Sequence, residues 1–176
     1  VHFTIGTPGQ SSYDAVVSNT KYLIEQGIAH PGKIGLQGHS WSGFQTSYLV
    51  TKTDIFACAN IGAPITDMVT GYLGIRGGSG LPRYFMYEEW QSRMGKSLWE
   101  AKDKYLASSA IVEADKIHTP LLIWHNDKDE AVAYEQGRAL YLAMRRLQRP
   151  AWHLNYKGEG PVSYTHLRAH ETKANL

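Results

Sequence analysis

The sequence predicts an α/β fold, a mostly parallel sheet with helices on both faces. Three observations predict it. Short apolar runs alternate with helix-like segments over much of the 176 residues. A hydrophobic share of 43% beside 19% charged residues is the composition of an ordinary packed core. One apolar run, from Lys33, feeds through a tight Gly/Ser turn straight into a helical pattern ending near Thr51. At this length the chain forms one domain at most.

The elements follow in order. Residues 12–26 carry Ala15, Val16, Tyr22 and Leu23 at helical spacing and stop at Gly27. Ile34-Gly35-Leu36 reads as a short buried strand, and residues 43–50 as the helix after the turn. Residues 55–61 read as a second strand, ended by Gly62-Ala63-Pro64. Between residues 65 and 116 the alternation breaks. Ser97-Leu98-Trp99-Glu100 has capping-box spacing for a helix running to about Ser108. This stretch predicts a helical insertion over the carboxyl edge of the sheet, the edge at which open α/β sheets place their sites. Leu121 to His125 is a third strand, residues 134–146 a helix, and residues 152–156 a fourth strand leading to Gly158-Glu159-Gly160.

Strand, Gly38-His39-Ser40-Trp41-Ser42-Gly43 and helix together match the context of a nucleophile elbow. The turn exposes the serine hydroxyl above the sheet, and strand and helix backbones nearly touch, so small residues are required on both sides. Gly38 meets that need, and Ser42 meets it less well. This elbow narrows the prediction to an α/β-hydrolase fold, N- and C-terminally truncated, in residues 1–160. Upstream strands would then be missing, leaving an unpaired apolar sheet edge of the kind that invites aggregation.

Other classes find little support. A net charge of +2 is too small to imply nucleic acid or an anionic membrane. No apolar run approaches the roughly 18 residues of a membrane span, and no motif for a metal, phosphate or other cofactor is present. Cys58, the single cysteine, lies in Phe56-Ala57-Cys58-Ala59 and reads as core. Val1 is not a start methionine, so the chain reads as beginning inside a longer protein.

Residues 161–176 have neither hydrophobic period nor turn logic. Residues 161–172 match, in one frame over twelve codons, the translation of a transposase-type sequencing adapter. They read as a non-native tail, excluded from the fold. Without Arg168, Lys173 and Glu171 the net charge of +2 becomes +1. His166 and His170 are excluded with them.

A serine hydroxyl needs a histidine to take its proton and a carboxylate to orient that histidine. In α/β-hydrolases the chain order is Ser, then acid, then His. The loop from His125 to Val132 offers Asp127, Asp129 and Glu130, and composition does not choose between them.

Four stretches, Gly38 to Gly43, Gly62-Ala63-Pro64, Gln91 to Gly95, and Asp127-x-Asp129-x-x-Val132, together resemble the catalytic domain of the prolyl oligopeptidase family, closest to its dipeptidyl-peptidase-like members. The resemblance covers most of residues 10–160. It implies that Ser40 is the nucleophile and that Asp129, three residues before Val132, is the acid. Asp127 and Glu130 then shape the loop. It places the histidine after Lys157-Gly158-Glu159-Gly160, where the adapter-like residues begin. The Trp41 backbone N–H would be one oxyanion donor, and the second, a family tyrosine, would lie upstream of residue 1. Trp41's ring would line the substrate pocket or pack on the insertion.

The other histidines carry structural readings. His39 flanks the nucleophile with its side chain turned from Oγ. His125 shares a strand end with Asp129, His153 is mid-strand, and His2, His30 and His118 lie in loops. The functional expectation is a serine peptidase acting on short peptides, with a missing N-terminal β-propeller as partner domain. A carboxylesterase or lipase and a non-catalytic interaction module are the alternatives. By this reading residues 1–176 alone are inactive, lacking base and second donor.

Overall fold

The computed structural model describes residues 5–160. Four strands build its main sheet: β1 (Gly35–His39), β2 (Cys58–Gly62), β5 (Leu121–Asn126) and β6 (Ala151–Tyr156), in the order β1-β2-β5-β6. Every pairing is parallel, so all four carboxyl ends share one edge. Leu36 stands beside Ala59, Ala59 beside Leu121 and Leu121 beside Ala151, which aligns the inward residues across the sheet. The α/β expectation holds.

Helix α1 (Pro8–Glu25) starts earlier than its apolar period indicated, because Pro8 at the first turn is pre-set for helical φ. Val17 packs with Leu49 and Phe56. Helix α2 (Trp41–Leu49) follows β1 with only Ser40 between them. Helix α6 (Glu135–Arg146) lays Leu140 and Met144 on Leu121, Ile123 and Ala151. Its Gln136 side chain accepts from the backbone N–H of Thr66 and of Asp67, each at 2.9 Å, which ties the segment after β2 to α6.

Residues 65–116 cross the carboxyl edge, as the broken alternation indicated. They comprise α3 (Met68–Leu73), a hairpin of β3 (Ile75–Arg76) and β4 (Leu81–Pro82), α4 (Tyr84–Glu88), α5 (Lys102–Ala107) and a 3₁₀ segment, Ala110–Lys116. Ser97 and Glu100 do close on each other through the Ser97 N–H and hydroxyl. The helix nevertheless begins only at Lys102, because Ala101 at its cap has non-helical backbone geometry (φ −137°, ψ 39°). Met68, Tyr72, Tyr87, Met94 and Tyr105 form the core of this layer with Phe44 of α2.

Two expectations need correction, those for Cys58 and for β1 as buried residues. Among the described residues the core clusters that join helices to the sheet lie on one face, that of Leu36, Ala59, Ile61, Leu121 and Ile123. The opposite face is open: Trp152 is 59% and Leu154 43% exposed. Cys58 points to that face and is exposed rather than core, because an apolar run in a strand alternates sides and Ala59, not Cys58, faces inward. For the same reason β1 is only half-buried.

Candidate active site

Ser40 occupies the turn between β1 and α2 with φ 58° and ψ −118°, a combination that non-glycine residues rarely adopt. The strain is held in place by its surroundings. Ser40 N–H donates to Gly62 O at 2.8 Å, and Phe44 N–H to Ser40 O at 3.0 Å. A Cβ on Gly38 would run into the backbone of Ser42, and one on Gly43 would lie 2.7 Å from Gly62 O. The close approach expected at Ser42 therefore falls on Gly38 and Gly43. Ser42 itself is exposed, with Oγ donating to His39 O at 3.0 Å. Gly38→Ala is expected to lower the melting temperature, costing about 1–3 kcal/mol of overpacking, and to slow labelling of Ser40 by a fluorophosphonate. Unchanged values would remove the close approach as the reason for glycine at 38.

A cavity of about 160 Å³ joins Ser40 to Asp129; His39, Ala63, Arg76, Ala131 and Val132 complete its lining. Ala63 is strained too, at φ 40°. Asp129 Oδ1 accepts the N–H groups of Ala131 at 2.8 Å and Val132 at 2.9 Å. Its side chain is 2% exposed. Burial alone would raise its pKa, but neighbouring His125 and the two N–H donors outweigh it and hold the carboxyl below the ordinary value.

Asp127 and Glu130 do not share this arrangement. Asp127 Oδ1 accepts Gly158 N–H at 2.7 Å, and Lys128 N–H donates to Glu159 O at 3.2 Å. Asn126 Nδ2 donates to Gly160 O. The loop after β5 and the 157–160 loop are thus laced together at the carboxyl edge. Glu130 lies outside the cavity lining, against Gly77 and Gly78.

Trp41 is the first residue of α2, where a backbone N–H has no acceptor within the helix. Its ring packs on Phe44 at 4.7 Å and edge-on to Tyr87 of α4 at 6.3 Å, so the packing alternative for this ring is the one the structure adopts. His39 lines the cavity, yet its ring lies flat on Trp124, 4.9 Å away with planes 2° apart. No hydrogen bond joins it to Ser40 or Asp129. Desolvation lowers its pKa against the pull of the Asp129 charge.

Arg76 passed unnoticed in the sequence, and His125 was read only as sharing a strand end with Asp129. His125 is fully buried behind Asp129, with Nε2 3.1 Å from Val132 O and 3.5 Å from Asp129 Oδ2. Arg76, from the hairpin, is among the residues that line the cavity. Neither lies in a motif, and only the three-dimensional arrangement brings either to the site. His166 and His170, with the whole 161–176 segment, lie outside the described residues. Among the described residues no cluster of His, Cys, Asp and Glu could hold a metal ion, and no helix is long and apolar enough to cross a membrane.

Comparison with known proteins bears on this site. The family model described as "Prolyl oligopeptidase family" matches residues 4–174. An uncharacterized peptidase, YuxL, of Bacillus subtilis is 27% identical over 144 residues, 81% of this chain and 20% of that protein. Dipeptidyl aminopeptidase BIII of Pseudoxanthomonas mexicana is 27% identical over 153 residues, 84% of this chain and 21% of that one. A solved puromycin-hydrolyzing peptidase of Mycobacterium tuberculosis superposes with a TM-score of 0.82 at 22% identity, covering 97% of this chain and 25% of its own. The chain spans about a tenth to a fifth of the length of the curated relatives it matches.

Proposed function

Since this chain belongs to the prolyl oligopeptidase family, we propose that it is the catalytic portion of a serine peptidase that acylates at Ser40. The relatives are peptidases, and the fold is that of α/β-hydrolase peptidases. The observation that carries the reading to this chain is the strained Ser40 sharing one cavity with the ionised, buried Asp129.

In this reading Ser40 Oγ attacks the scissile carbonyl while a histidine takes its proton. The oxygen that becomes negative is met by the Trp41 N–H, whose electrostatic stabilisation is the largest expected contribution. The histidine then protonates the departing amine, and water repeats the sequence to release the acid. Asp129 holds the histidine's tautomer and balances its charge. None of the described histidines bonds to both Ser40 and Asp129, so the base is assigned to chain that follows Gly160 in the full-length protein. The lacing of the 157–160 loop to residues 126–128 supports this, because it brings that point beside Asp129.

Three further assignments belong to the same proposal. The substrates are short peptides, filtered by a β-propeller partner domain of the same chain. Residues 161–176 are adapter translation; the family match runs to residue 174, and the genomic codons after Gly160 decide the point. Residues 1–176 alone then show no turnover.

Full-length protein is expected to hydrolyse peptide substrates with higher kcat/KM than p-nitrophenyl esters of similar size. Ester turnover with no peptide cleavage would make it a carboxylesterase. Absence of both, with no fluorophosphonate labelling, would leave a non-catalytic interaction module.

A further inference from the structure

The cavity contains one cation that the triad chemistry does not use. Arg76 lines it together with Ser40 and Asp129, and among the described residues its guanidinium has no hydrogen bond or ion pair. The neighbouring Arg83 shows what a structural arginine in this layer looks like. It is 8% exposed, donates from Nη1 to Ala131 O, and stands 6.0 Å over the Tyr87 ring. Arg76 is exposed and does none of this.

Its position is set from both sides. Arg76 pairs with Leu81 in the hairpin, and its carbonyl accepts from Ser79 N–H at 3.2 Å and Gly80 N–H at 2.7 Å. The turn rests on the residue next to the acid: a Cβ on Gly77 would lie 3.3 Å from Glu130 Cα, and one on Gly78 2.6 Å from Glu130 Oε2. The turn thus seats closely on Glu130, so the hairpin and the acid loop hold a common geometry. Arg83, donating to Ala131 O, fastens the far end of the hairpin to the same loop.

Asp129 does not neutralise Arg76. Its Oδ1 is taken by the Ala131 and Val132 N–H groups, its Oδ2 faces His125, and no ion pair joins it to Arg76. Glu130, the other nearby carboxylate, is exposed and likewise forms no ion pair with it. An unpaired guanidinium in a partly enclosed site offers a planar fork of donors, which matches a carboxylate in shape and charge.

We propose that Arg76 receives a carboxylate of the substrate and makes the enzyme selective for anionic peptides. The carboxylate comes from an acidic side chain next to the scissile bond or from a free C-terminus. The inference rests on Ser40 being the nucleophile.

The test uses full-length protein and two matched pairs of probes. One pair is acetyl-Ala-Ala-Glu and acetyl-Ala-Ala-Gln as aminomethylcoumarin amides; the other is trialanine with a free C-terminus and trialanine amide. A charge-assisted hydrogen bond predicts roughly 10- to 100-fold higher kcat/KM for the charged member of one pair. Which pair responds identifies the source of the carboxylate. In Arg76→Gln the charged-to-neutral ratio is expected to approach one, whatever happens to absolute rates, and Arg76→Lys should keep part of it. Equal rates within both pairs for the unsubstituted protein, or an undiminished ratio in Arg76→Gln, overturns the proposal.

Fluorophosphonate labelling at Ser40 reports separately on the nucleophile. If labelling and turnover both fail, equilibrium binding of the same four probes to Ser40→Ala protein replaces kcat/KM. Preferential binding of a charged probe that Arg76→Gln removes upholds the arginine's role without the hydrolase reading. Equal binding rejects it.

Discussion

Replacing Ser40 by alanine in the full-length protein is expected to abolish fluorophosphonate labelling and to lower peptide turnover by about 10⁴- to 10⁶-fold, the range seen when a triad nucleophile is removed. The size of the effect follows from the site's construction. Ser40 is the only hydroxyl-bearing residue lining the cavity it shares with Asp129 among the described residues. Its Oγ is presented there by a backbone turn wedged between Gly38 and Gly43. No neighbouring serine substitutes: Ser42 is bonded to His39 O. Labelling that persists in Ser40→Ala would move the nucleophile elsewhere.

Asp129→Asn is expected to lower kcat by about 10⁴-fold, as the equivalent change does in the template triad, with the fold intact. Asparagine keeps the shape and can accept the Ala131 and Val132 N–H bonds through its oxygen. It cannot balance an imidazolium, and its amide nitrogen cannot accept a histidine's N–H. Asp127→Asn should cost far less, because Asp127 holds Gly158 N–H rather than facing the cavity. The reverse ranking would transfer the acid's role to Asp127. The substitution also has a pH consequence. The folded-state pKa of Asp129 is depressed, so its ionised form stabilises the protein fully above the ordinary carboxylate range. That contribution is lost as pH falls through the lowered folded value. Acid melting curves should therefore steepen less in Asp129→Asn than in the unsubstituted protein.

How much of this was readable in the sequence depends on how local each feature's cause is. The strand–turn–helix at residues 35–49 is marked where it occurs, by Gly38, Ser40 and Gly43, so both the elbow and the fold class could be read. Helix α6 likewise announces itself by Leu140 and Met144 at helical spacing. The hairpin at residues 75–82 has two-residue strands and a glycine-rich turn, which carry no period. What positions it is Glu130, some fifty residues away. Arg76 was invisible for that reason. Cys58 was misread because an apolar run says nothing about which side of a sheet is covered. Asp129 could be separated from Asp127 only by resemblance to a family, since the distinguishing contacts are with Val132 and with Gly158. His125 offered no local signal at all: its burial behind the acid depends on α6 packing over β5, with Gly137 against its ring.

The backbone geometry at Ser40 also bears on how this protein can evolve or be engineered. A serine held at positive φ stores conformational energy, on the order of 1–3 kcal/mol at such positions, that a glycine would release. Selection for thermal tolerance alone therefore rewards Ser40→Gly, a molecule more durable and, with Ser40 the proposed nucleophile, chemically idle. Libraries screened only for surviving heat should accumulate changes at residue 40, and activity must be scored in every round to hold that residue. Durability and turnover pull in opposite directions here on a single pair of dihedral angles.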